Sequence, residues 1–200
     1  GWTSDNNVEW TLNSGGWQHT LLAGVDYYHK TYDSHRFSSA NSIFNPANPV
    51  YGASTRITSA DTGSDLHSAQ SGVYLQDQID LSEQWKLLLG VRWDKVDQRN
   101  RNYTANGSYT DIDIDPSDTS PRAGIVYQPT PNLSLYASYS TSFSPQNKLT
   151  RDGTVLDPET GEQYEIGMKY DLIPDQLTGT LSAFEITRDN LATTDPFGTS

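Results

Sequence analysis

SGVYLQDQIDLSEQWKLLLGVRWDKV, residues 71–96, decides the fold. In its first half Val73, Leu75, Ile79 and Leu81 share one parity, and Tyr74, Gln76, Gln78 and Asp80 take the other; Asp77 alone spoils the apolar side. After the short SEQ turn, Trp85, Leu87, Leu89, Val91 and Trp93 fall on one face, with Lys86, Gly90, Arg92 and Asp94 opposing them. Period-two alternation is the signature of a strand, because successive side chains point to opposite faces of the pleat. A helix would space its apolar residues three and four apart, and these segments do not.

The same alternation recurs in NLSLYASYSTSF, where Leu133, Leu135, Ala137, Tyr139 and Phe143 share a face. It recurs again in EQYEIGMKYDL, where Tyr164, Ile166, Met168, Tyr170 and Leu172 oppose Gln163, Glu165, Gly167, Lys169 and Asp171. The pattern predicts eight strands, near residues 7–13, 17–31, 67–81, 85–101, 119–128, 133–144, 162–172 and 177–189, the last with poor parity from Phe184 to Ile186. Short connections at Ser14–Gly16, Ser82–Gln84, Pro129–Asn132 and Ile173–Gln176 alternate with long ones over 32–66, 102–118 and 145–161. The long ones are rich in Asn, Ser, Asp, Gly and Pro. Several predicted strands reach the roughly nine to eleven residues that a tilted membrane strand needs. Short turns at one end and long loops at the other fit a transmembrane barrel with periplasmic turns and extracellular loops.

Composition agrees. Only 34% of the 200 residues are hydrophobic, yet the chain holds 12 Tyr, 5 Trp and 5 Phe, and mean hydropathy is −0.66. Disordered chains are poor in aromatics, whereas a barrel with a wet lumen, polar loops and aromatic girdles is rich in them. Trp85, Trp93, Tyr127, Tyr139 and Tyr170 read as girdle residues. Cysteine is absent, so neither a disulfide framework nor a thiolate metal site arises. No apolar run of about 18 residues suggests a transmembrane helix. A net charge of −12 without a basic stripe argues against nucleic-acid binding.

From Ser71 onward the wording resembles the barrel of TonB-dependent siderophore receptors. The pieces that carry the resemblance are GVYLQDQIDLSEQWKLLLGVRWD, SPRAGIVYQPTPNLSLYASYSTSFSP, LDPETGEQYEIGMKYDL and LTGTLSAFEITRDNLATTDP, in that order. Residues 71–198 carry it most clearly, and residues 1–66 agree in style. It implies an all-β, antiparallel transmembrane barrel of about twenty-two strands, closed by an N-terminal plug. Residues 1–200 then make a partial barrel domain, an internal stretch of wall without plug or TonB box. With two unpaired edge strands, such a piece is expected not to fold stably alone.

The resemblance further implies a bacterial outer-membrane receptor that takes up a ferric siderophore, with no intrinsic cofactor and no enzymatic step. Its partners would be the siderophore, the TonB–ExbB–ExbD system acting through the plug, and outer-membrane lipid and lipopolysaccharide. Two rivals use the same alternation: a small self-contained structural or adhesive barrel of about eight strands, and a soluble β-sandwich lectin. The loop-like ends GWTSDNN and TTDPFGTS disfavour the first rival.

Candidate contacts follow from parity and position. If Trp85 to Trp93 face lipid, then Arg92, Asp94, Arg122, Tyr136 and Glu165 face the lumen, where substitutions tune selectivity. Phe143, Phe44, Tyr51 and Tyr109 are rim or loop aromatics within reach of a ligand. The plainer expectation for Arg92, Asp94 and Arg122 is pairing across the wall or with the plug. Asp111, Asp113 and Asp115 alternate with Ile in YTDIDID, so an extended chain aims three carboxylates one way. A hard cation is conceivable there, and a solvated hairpin flank is the simpler reading. His19, His29, His35 and His67 lack metal-ligand spacing, and neither a nucleophilic triad nor a phosphate-cradling loop is present.

Overall fold

The computed structural model describes residues 1–38, 47, 62–173 and 176–193. They form nine strands: β1 (Trp2–Ser14), β2 (Trp17–Arg36), β3 (Thr62–Asp80), β4 (Trp85–Tyr103), β5 (Tyr109–Ile114), β6 (Ser117–Thr130), β7 (Leu133–Ser144), β8 (Glu159–Ile173) and β9 (Leu177–Asp189). All pairings are antiparallel, in the order β1-β2-β3-β4-β6-β7-β8-β9, with β5 pairing the upper part of β4. The sheet does not close on itself. Among the described residues, β1 and β9 each have one neighbour.

Local chemistry sets the turns. Gly15 and Gly16, at φ 63° and 85°, join Ser14 to its partner Trp17 in a two-residue hairpin. Positive φ at both central positions matches the right-handed twist of the strands and favours glycine. Ser82 closes the next turn with its hydroxyl, accepting from the Trp85 N–H at 3.1 Å. Pro129 sits where the β6–β7 register shifts between Tyr127 and Thr130, a place where its missing donor is tolerated. Pro121 marks a fork: β6 pairs β7 only from Arg122 and Ser140 down to Thr130 and Leu133, while above it β7 pairs β8 alone.

The expected eight strands become nine because the predicted 102–118 loop is structured. A turn at Thr104–Ser108 sends β5 back along β4, with Gln98 opposite Ile114. β6 continues at Lys95 opposite Ser117, in unchanged register. β5 and β6 are thus one strand broken at Asp115–Pro116, where Pro116 lacks a donor but its carbonyl still accepts from Val96 at 2.9 Å. The opening GWTSDNN is also strand rather than loop, since Trp2–Asn7 pairs with Gly24–His29. β2, β3 and β4 run 20, 19 and 19 residues, well past what a membrane crossing requires.

There is almost no water-soluble core. Ile79, Val96 and Ile114 are the buried hydrophobics among the described residues. One face instead exposes Val8, Trp10, Leu12, Trp17, Val25, Val73, Leu75, Trp85, Leu89, Val91, Trp93, Ile125, Leu135, Ile166, Met168 and Leu181. The registers carry this parity from β1 to β8, and onto β9 at Leu181, while Phe184 and Ile186 take the inward parity and the ladders shift by one residue beside Pro129 and Leu172. A soluble sandwich would cover such a face with a second sheet. A single sheet with an open apolar face is a membrane-barrel wall, and the sandwich reading is not supported. Aromatic pairs punctuate the belt: Trp85 stacks on Tyr127 at 4.4 Å, and Tyr139 meets Tyr164 at 4.9 Å.

Candidate functional site

The opposite face is polar and internally bonded, and its centre is Arg92. From β4 the guanidinium reaches Asp26 on β2 through two bonds, Nη1–Oδ2 at 2.6 Å and Nη2–Oδ1 at 3.0 Å. It also donates to Asp94 on its own strand, Nε–Oδ2 at 2.8 Å and Nη2–Oδ1 at 2.6 Å. Gln70 Nε2 adds a bond to Asp94 Oδ1 at 3.1 Å. Bidentate guanidinium–carboxylate pairing is the strong, geometrically specific form of this interaction. Asp94, 6% exposed, is the buried charged residue of the described chain, and burial without such partners would be costly. Two carboxylates against one cation leave the cluster with a negative surplus, and Asp5 stands close by. Tyr74, whose ring centroid is 5.8 Å from the guanidinium carbon of Arg92, donates to Asp5 Oδ1 at 3.2 Å.

Inward glycines make this arrangement possible. A Cβ on Gly24 would fall 2.3 Å from Cζ of Tyr74, one on Gly72 2.1 Å from Nη2 of Arg92, and one on Gly167 2.4 Å from Cζ of Tyr136. One on Gly90 would meet Nε of Arg122 at 2.8 Å. Each long side chain therefore lies flat along the wall over a neighbouring strand's glycine, instead of standing across the lumen. Arg122 in that pose donates to Gln76 Oε1. Tyr136 donates to Glu165 Oε1 at 2.7 Å, and Gln163 Nε2 to Glu165 Oε2 at 3.2 Å. Beneath the β6–β7 fork, Asp5, Tyr74, Arg92, Ser120, Arg122 and Ser140 line a hollow of about 420 Å³.

Of the residues singled out by sequence, Arg92 joins Asp94 and Tyr136 joins Glu165, all on the inward parity, and Arg122 sits on the same wall. Asp26, Asp5, Gln70 and Tyr74 belong to the cluster but were not singled out. Asp26 lies 66 positions from Arg92 in the chain, so only the strand register brings them together. Phe143 falls on the outward parity with Leu135 and Tyr139. Tyr109 stands at the β4–β5 hairpin, exposed, with Arg101 4.5 Å from its ring centroid. Phe44 and Tyr51 lie outside the described residues.

The three alternating aspartates do share a face, but each meets a cation on β4. Arg101 binds Asp111 at 2.6 and 2.8 Å, Arg99 binds Asp113 at 3.1 Å, and Lys95 reaches Asp115 at 3.4 Å. The Arg101 guanidinium holds the Asp111 carboxyl below its usual range. Their charge is already matched, and no described group of His, Asp and Glu could hold a metal ion. Among the histidines, His19 pairs with Asp77 at 2.8 Å.

What this face offers is hydrogen-bonding and charge for a guest or packed partner. Comparison with known proteins agrees with a barrel wall. The chain matches the family described as TonB dependent receptor-like, beta-barrel, over residues 1–200. It is 35% identical over 193 residues to the metal-pseudopaline receptor of Pseudomonas aeruginosa, covering 92% of this chain and 27% of that protein. It is 30% identical to the ferrichrome outer membrane transporter/phage receptor of Escherichia coli K12, over 97% of this chain and 26% of the relative. The crystal structure of the siderophore receptor PiuA from Acinetobacter baumannii has the same fold, with TM-score 0.72 and 23% identity across 91% of this chain and 31% of that one. The chain thus spans little more than a quarter of the curated relatives it matches, and it belongs to the TonB-dependent receptor-like β-barrel family.

Proposed function

We propose that this sheet is part of the wall of a bacterial outer-membrane receptor that imports a ferric siderophore. The observation that carries the reading is the division of one sheet into two faces: a predominantly apolar parity outside, and inside a hydrogen-bonded polar wall centred on Arg92. The relatives' names supply the cargo class, a metal ion held in an organic chelator. The cargo is substrate, not resident cofactor. Uptake moves the complex intact and makes no covalent bond, so no enzymatic step is assigned.

In the complete receptor, a plug would fill the lumen and TonB–ExbB–ExbD would deliver the energy that rearranges it. The inward residues of this stretch would contact the plug and, toward the outer rim, the passing ligand. Lipid and lipopolysaccharide would face the apolar belt. Deleting the gene under iron starvation should abolish accumulation of at least one radiolabelled metal–chelator complex. Undiminished uptake across a panel of ferric siderophores and of the same chelators loaded with other transition metals would refute the proposal.

A further inference from the structure

On β2 and β3 the outward belt carries a pair of ionisable residues within its periplasmic half, and on β9 Glu185 also takes the outward parity, opposite Tyr164. His19 on β2 and Asp77 on β3 point to the lipid side, joined through Nδ1–Oδ2 at 2.8 Å. By register, Leu12 and Ile79 flank His19, while Leu21 and Leu89 flank Asp77. No other charged group faces the pair from β1 or β4. Ionisable groups on a lipid face are expensive, so a pair there calls for a compensating role. The protein itself compensates only partly: Asp77 Oδ1 is enclosed without a hydrogen-bond partner. No hydrogen bond engages His19 Nε2 among the described residues, and the imidazole keeps 18% of its surface.

Depth identifies the partner. His19 stands two residues from Trp17, next to the tight Gly15–Gly16 turn. At 3.3 Å per residue and a tilt of about 40°, that is roughly 5 Å inside the level of Trp17. Interfacial Trp sits at headgroup depth. An imidazole at that depth is within reach of a headgroup phosphate or glycerol oxygen, given the local thinning that polar groups induce in a bilayer. With Nδ1 engaged by Asp77, Nε2 is the ring atom left to face the lipid headgroup layer, where the phosphodiester is the polar group at matching depth. Free phosphate does not partition into this layer, so the source is a membrane lipid.

We propose that His19 and Asp77 form a binding site for the phosphate of one phosphoglycerolipid of the periplasmic leaflet, with His19 the contacting residue and Asp77 its positioning residue. This rests on the membrane-wall reading above. The test uses the full-length receptor and its H19L/D77L and D77N variants, each folded into phosphatidylethanolamine-containing vesicles and extracted into mild detergent. Native mass spectrometry then counts retained lipids. Leucine at both positions restores an apolar belt, so the double variant should fold, and heat-modifiable electrophoretic mobility checks that it does. The expected result is one retained phosphoglycerolipid fewer in H19L/D77L than in the parent, with D77N reduced as well. Equal retention in the parent and a folded double variant overturns the site but leaves the wall standing. Failure of the parent itself to reach a heat-modifiable, vesicle-inserted form overturns the membrane reading, and the site with it.

Discussion

Removing Arg92 should destabilise the wall by leaving carboxylates behind, not by losing a contact. In R92M, Asp26 and Asp94 lose four hydrogen bonds between them and face each other without a cation. Breaking a buried pair by deleting one partner costs about 3–5 kcal/mol. Here Arg92 keeps 35% of its side-chain surface and Asp26 20%, while Asp94 keeps 8%. Water in the lumen therefore screens one carboxylate well and the other poorly, which brings the expected loss to about 2 kcal/mol. The reasoning makes a second demand. If the cost is uncompensated charge, then R92M combined with D26N and D94N should regain most of it, because replacing all partners of a polar group is far cheaper than orphaning one. Denaturant unfolding of the full-length receptor in vesicles, followed by tryptophan fluorescence, measures both. A R92M midpoint equal to the parent's refutes the network's role in stability. A triple variant weaker than R92M refutes the charge argument even if the single result holds.

An alanine at Gly167 should lift the Tyr136 ring from the wall and break its 2.7 Å bond to Glu165, at a cost of about 1 kcal/mol. Y136F should cost as much, and G167A/Y136F no more than either alone; additive losses in the same unfolding assay would count against the flat-lying pose. Arg101 lowers the Asp111 carboxyl, so the folded value lies below the unfolded one. The pair's contribution is then complete above the ordinary carboxylate range, near pH 4, and is lost as pH falls through the lowered folded value. Hydrogen exchange of the β4–β5 hairpin, corrected for intrinsic rates, should be unchanged from pH 7 to 5 and rise only below about pH 4; a rise already at pH 5 would contradict the pairing. Chelating calcium should leave protease protection of this hairpin unaltered, since its aspartates are already matched by cations. Residues 1–200 expressed alone should give no heat-modifiable species on refolding into detergent, because β1 and β9 have unpaired edges; recovery of one would show that the piece closes on itself.

The lower halves of the strands were legible because lipid on one side and lumen on the other impose alternation; β7 and β9 coincide with their predicted bounds. Above the membrane both faces meet water, so nothing forces a period of two, although the hydrogen-bond ladder continues. That is why Trp2–Asn6, Tyr32–Arg36 and Thr62–Leu66 went unseen as strand. β5 did leave a trace, the alternating Asp111 and Asp113 of YTDIDI, but the matching Arg101 and Arg99 lie on the strand before. At the site, parity alone placed Arg92, Asp94, Tyr136 and Glu165 on the inner face. Asp26 required knowing that it pairs with Gly72, itself opposite Asp94, and register across a long loop is not written in local pattern.

The inward glycines also govern how much room the barrel has. A closed sheet of given strand number and shear has a fixed backbone radius, and upright arginines and tyrosines would narrow the free passage by their own length. Laid over Gly24, Gly72, Gly90 and Gly167, four such side chains take up almost none of that radius. The wall thereby keeps strong hydrogen-bonding groups within reach of whatever occupies the barrel while sparing the bore the length of these four side chains, so a substitution at one of the glycines changes clearance and bonding together.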